Sequence, residues 1–105
     1  MVVSFDFDGT LELPKYQELC KKYIELGFEM YVVTSRGRLN SNSDLYELTD
    51  YLGINEGNII FTEGNMKTPF LVHCGVNIHY DDCLSEINHI KAFSDTVEGI
   101  YIKGI

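Results

Sequence analysis

A chain of 105 residues, 45% of them hydrophobic, has length for one domain and apolar content for one real core. Its 16 acidic residues outnumber 8 basic ones for a net charge of −8, which disfavours long nucleic acid and anionic membrane as partners without forbidding a local cationic pocket. No apolar run approaches the ~18 residues of a membrane span, and the N-terminus lacks the basic region and cleavage site of a secretory signal.

Cys20, Cys74 and Cys83 are widely spaced and odd in number, with no metal-type pair spacing and no disulfide framework. A cytoplasmic, reducing setting is expected, with each thiol acting as a small hydrophobe.

In chain order, residues 2–7 form a short, mostly apolar strand. Pro14 opens a helix, as proline does at a first turn. Tyr16, Leu19, Cys20, Tyr23, Ile24 and Leu26 follow at helical spacing, and Gly27 stops it. Residues 28–33 make a second strand that runs into Thr34 and Ser35. The polar stretch "RGRLNSNS" is loop. Asn42 or Ser43 can cap a helix carrying Leu45, Leu48, Tyr51 and Leu52, with Gly53 behind it. A third strand covers residues 58–61. Thr68 caps a short helix with Pro69 at its first turn, ending at Gly75. Residues 76–80 form a fourth strand, Leu84, Ile87, Ile90 and Phe93 line a fourth helix, and residues 97–102 make the last strand.

The order βαβαβαβαβ predicts a single α/β domain over residues 1–105. Its core is a five-stranded, mainly parallel, Rossmann-like sheet covered on both faces, an αβα sandwich with right-handed crossovers. Ligands in such sheets bind beyond the carboxyl ends of the strands. Strand one ends in "FDFDGT", with Asp6 and Asp8 one residue apart. Strand two ends at Thr34-Ser35-Arg36, and the loop after strand three carries Glu63, Asn65 and Lys67. Strand four ends at Asp81-Asp82. Like charges ~4 Å apart repel by about 4 kcal/mol at an effective dielectric of about 20. Raised pKa values or a bound cation are the usual remedies. Hard oxygen donors with no softer cluster point to Mg²⁺. Mg²⁺ with a lysine and a hydroxyl suits a phosphoryl group.

"SFDFDGT" resembles the first signature of the haloacid dehalogenase-like phosphatases, an apolar strand followed by D-x-D-G-T. Thr34 in "MYVVTSR" is similar to the second signature, Lys67 in "NMKTPF" to the third, and Asp81-Asp82 in "NIHYDD" to the fourth. All four stand in the family's order and cover residues 2 to about 90.

The resemblance implies a role for each residue. Asp6 is the nucleophile that forms an aspartyl-phosphate, and Asp8 is the general acid and then the general base. Gly9 allows the sharp turn and Thr10 ties it down. Thr34 donates to a phosphoryl oxygen, with Ser35 as a second donor. Lys67 neutralises the phosphate and Asp6. Asp6, the Asp8 carbonyl and Asp81 hold Mg²⁺, with Asp82 in or just behind that shell. Asp82 can also serve as a helix cap. Arg36 and Arg38 either bind a second anionic group of the substrate or lie in a solvated loop. His73, His79 and His89 show no ligand spacing and no expected chemistry, though His79 sits on a strand and is expected to be buried. All this requires the Asp6 and Asp81 carboxyl groups to lie within about 10 Å, close enough to share one ion.

Many such phosphatases carry a cap domain after the first or third strand. Here neither gap can hold one, so the resemblance is to a capless member. An open site excludes water poorly. Either a large phosphorylated substrate acts as its own lid, or a homo-oligomer supplies the missing wall. Two other readings stand beside the phosphatase: a non-catalytic or weakly active binding scaffold on the same fold, and a receiver-like phosphoacceptor domain. In the latter the phosphorylated Asp ends strand three, where this chain has Phe61-Thr62.

Overall fold

The computed structural model describes residues 1–103. Five strands, β1 (Val2–Phe5), β2 (Glu29–Thr34), β3 (Ile59–Phe61), β4 (Ile78–Asp81) and β5 (Glu98–Tyr101), form one sheet in the order β3-β2-β1-β4-β5. Every neighbouring pair is parallel, so the sheet is wholly rather than mainly parallel.

Strand side chains alternate between the two faces, and the faces carry separate cores. On one face, Val3, Phe5, Met30, Val32, Ile59, Phe61 and Tyr80 pack against α1 (Pro14–Glu25) and α2 (Ser43–Leu52) through Cys20, Leu45 and Leu52. On the other, Val33 and its neighbours pack against α3 (Thr68–His73) and α4 (Leu84–Phe93) through Leu71, Ile87 and Ile90. The predicted three-layer αβα architecture is therefore present. The linkers 6–13 and 62–67 hold only turns, and no cap domain interrupts the sheet. No helix among the described residues is long and apolar enough to cross a membrane.

The boundaries of β1 and β4 differ from those expected. β1 stops at Phe5, not at residue 7. The Asp6 N–H still donates to the Tyr80 carbonyl at 2.9 Å, but Phe7–Leu11 then coils into a tight turn closed by Leu11 N–H on the Asp6 carbonyl at 3.1 Å. β4 starts at Ile78 and runs on to include Asp81, which is paired in register with Tyr101.

The expected caps also differ. Lys67 precedes α3, and Thr68 is its first helical residue; the Thr68 hydroxyl instead meets His89 Nδ1 at 2.8 Å. Cys83 precedes α4, and neither Asp81 nor Asp82 caps that helix through its side chain. Asn42 does precede α2, but its amide turns back onto the loop before it.

Candidate active site

The chain moves outward from β1 to β2 and β3, then returns to the other side of β1 as β4. The carboxyl ends of β1 and β4 therefore flank the reversal point, where open α/β sheets bind ligands. Asp6 follows β1 and Asp81 ends β4, so both carboxylates stand at that crevice.

Their side chains converge. Carboxylate oxygens of Asp6, Asp81 and Asp82 all lie within 4.8 Å of one another, well inside the separation that sharing one ion demands. Lys67 enters from the start of α3, and its ammonium donates to Asp6 Oδ1 and Asp81 Oδ2, each at 2.7 Å. It is only 2% exposed, so these charges interact with little solvent screening. The Lys67 backbone N–H donates to Glu86 Oε1 of α4 at 3.0 Å, which fixes the chain where the lysine departs.

Gly9 shapes the other wall. Its φ of +76° is left-handed, and a Cβ at this position would overlap the Asp82 carboxylate. Glycine is thus required both by the turn and by the approach of Asp82. Thr10 does more than tie down the turn: its hydroxyl donates to Asp6 Oδ2 at 3.2 Å.

Behind Asp81 lies a group without an expected role. His79 is fully buried, with Nε2 2.8 Å from Asp81 Oδ2 and Nδ1 2.6 Å from Ser4 Oγ. Burial holds His79 below its ordinary pKa, so the ring is neutral. Burial alone would raise the Asp81 carboxyl, but the His79 hydrogen bond and the Lys67 charge hold it below the usual range. An ionised Asp81 can only accept, so His79 Nε2–H donates to it. Nδ1 must then accept from the Ser4 hydroxyl. The sequence carried a usable signal: Ser4 and His79 each stand two residues before an acidic site residue, on the same face of their strands.

Electrostatics divide the two central acids. Burial pushes the Asp6 carboxyl up to about 7; Lys67 opposes the rise, while the Asp81 charge and a hydrogen bond shared with Asp82 add to it. Burial would lower Lys67, but Asp6 and Asp81 beside it keep it above its ordinary value. One ammonium does not compensate three carboxylates. The donors are hard oxygens, and a small divalent cation such as Mg²⁺ fits both their chemistry and their uncompensated charge.

Among the described residues, the remaining candidates make no hydrogen bond or ion pair with that cluster. Thr34 is fully buried, and its Oγ1 accepts from the Arg36 backbone N–H at 3.2 Å rather than contacting Asp6. The Ser35 side chain is exposed, and its carbonyl accepts from Gly64 N–H at 2.9 Å. Asp8 turns away from Asp6 to pair with Arg36. Arg38 lies over the Phe61 ring, 5.0 Å from its centre. The chain matches no known family profile and no curated protein sequence.

Proposed function

We propose that this protein is a Mg²⁺-dependent phosphomonoester phosphatase of the haloacid dehalogenase-like type, working through an aspartyl-phosphate in an uncapped site. The observation that carries the reading is the buried Lys67 bridging Asp6 and Asp81, with Asp82 beside them. Asp6, Asp81 and Asp82, with the Asp8 carbonyl, would hold the ion. Once bound, it supplies positive charge that offsets repulsion between the carboxylates and the phosphoryl oxygens.

An Asp6 oxygen attacks phosphorus, and the bond from phosphorus to the ester oxygen breaks. That oxygen keeps the electron pair and takes a proton from Asp8. A water then attacks the aspartyl-phosphate and passes its proton to Asp8. The bond from phosphorus to Asp6 breaks, releasing phosphate and the free carboxylate. Lys67 holds the Asp6 carboxylate in place through both steps.

Support for the receiver-like alternative is weaker. The order β3-β2-β1-β4-β5 differs from the β2-β1-β3-β4-β5 order of flavodoxin-like sheets such as receivers. Free Cys20, Cys74 and Cys83 suit a reducing cytoplasm. With no cap segment, the expected closure of the site comes from a large phosphorylated substrate or from a second copy of the chain. With Mg²⁺ present, p-nitrophenyl phosphate should be hydrolysed and Asp6→Asn should abolish turnover. Activity that survives Asp6→Asn rules out this mechanism.

A further inference from the structure

Arg36 spends every donor it has on the protein itself. Nε and one terminal nitrogen hold both oxygens of Asp8, at 3.0 and 2.7 Å. The terminal nitrogens also hold both oxygens of Asp44, at 2.8 and 2.9 Å, and reach Asn42 Oδ1 at 3.4 Å. These are all five N–H groups of a guanidinium. The guanidinium also lies over the Phe7 ring, 4.9 Å from its centre, within the turn that carries Asp8.

The anchor beneath it is rigid. Asn42 is 4% exposed, and its amide donates to the carbonyls of Gly37, Arg38 and Asn40, which fastens the loop at the start of α2. Asp8, by contrast, has a side chain 53% exposed, and among the described residues its carboxylate accepts hydrogen bonds from Arg36 alone. A short exposed side chain on a turn otherwise samples several rotamers. One residue therefore sets where the Asp8 carboxyl sits.

We infer that Arg36 is the positioning residue of Asp8, held by Asp44 and Asn42, and that it is not a contact for the substrate's anionic groups. The inference rests on the phosphatase reading, in which Asp8 serves as acid and then base. Proton transfer needs a carboxyl already in place, and loss of that placement removes the benefit of the acid.

The test compares two esters with wild-type protein and with Arg36→Ala, Arg36→Lys and Asp44→Asn, all with Mg²⁺. p-Nitrophenolate leaves without protonation, whereas the alkoxide of propyl phosphate does not. Because kcat/KM covers only the steps up to cleavage of the ester bond, it isolates the acid role. Arg36→Ala should lower kcat/KM for propyl phosphate about 100-fold, and for p-nitrophenyl phosphate by less than about tenfold. It should also show a burst of p-nitrophenolate, because attack by water on the aspartyl-phosphate loses its base. Arg36→Lys and Asp44→Asn should show the same selectivity to a smaller degree, and they carry the comparison if the alanine variant does not fold. Equal losses on both esters, or a raised KM with kcat unchanged, overturn the positioning role while leaving the phosphatase reading intact. A wild-type protein inert toward both esters overturns the phosphatase reading and this inference with it.

Discussion

Lys67 reaches a carboxylate 61 positions earlier in the chain, placing its ammonium 2.7 Å from Asp6 Oδ1 in a pair whose two side chains are buried. The same nitrogen is equally close to Asp81, so a single cation holds the ends of β1 and β4 together. Like charges brought this near would otherwise drive the crevice apart.

Replacing Lys67 with Met leaves Asp6 and Asp81 buried without their shared cation. Removing one partner of a buried ion pair costs about 3–5 kcal/mol. Urea unfolding of Lys67→Met in metal-free buffer should show a loss of that size, and added Mg²⁺ should restore part of it. An unchanged midpoint would show that the ammonium does not hold the site together.

Asp6 predicts a pH dependence of definite sign. Its carboxyl has an ordinary pKa of 3.8 when unfolded and about 7 when folded, so the folded chain binds that proton more tightly. The group's contribution to stability is lost as pH rises from about 4 to about 7. Asp6→Asn lacks this titration, whereas His79 is common to both proteins. In metal-free buffer, the stability of Asp6→Asn relative to wild type should grow between about pH 5 and about pH 8, by up to on the order of 3 kcal/mol. A difference that stays flat with pH would remove the case for an elevated Asp6.

Divalent cations should stabilise the folded chain, because the carboxylate cluster exists only when it is folded. At an Mg²⁺ concentration of about 100 times Kd, the gain is roughly 2.7 kcal/mol. Thermal unfolding with Mg²⁺ and with chelator should differ accordingly for wild type and much less for Asp81→Asn. Equal shifts in the two proteins would place the ion elsewhere.

His79 should matter to the ion without touching it. His79→Leu leaves the buried Ser4 hydroxyl without its partner, at a cost of about 1–3 kcal/mol, and leaves Asp81 Oδ2 held by Lys67 only. Misorienting Asp81 should also weaken Mg²⁺ binding about 10–100-fold. Calorimetric titration of Mg²⁺ reads this directly, and His79→Gln, which retains an amide donor, should recover part of it. Wild-type affinity in His79→Leu would reduce His79 to a packing residue.

The layout of strands and helices was legible because alternation and helical spacing are local. The apolar strands "VVSF" and "YVV", the helix face from Tyr16 to Ile24, and the stops at Gly27 and Gly53 each depend on residues a few positions apart, whereas Leu26, expected on that face, lies beyond the helix and is exposed. The acidic ends of β1 and β4 were legible for the same reason, since the alternating order directs strand carboxyl ends to one edge. The caps were less so. Thr68 and Asn42 are good caps by type, but tertiary partners claimed their side chains.

The amino-acid order alone therefore determined a parallel α/β sheet with Asp6, Asp8, Thr34, Lys67, Asp81 and Asp82 along one side. Only folding in three dimensions decided which of them meet. Lys67 joined Asp6 and Asp81, Arg36 took both Asp8 and Asp44, and His79 entered behind Asp81 with Ser4. Apart from His79 and Asp81, which share β4, each choice joins residues from separate parts of the chain. Hydrogen-bond direction, burial and charge balance select partners only once the strands lie side by side.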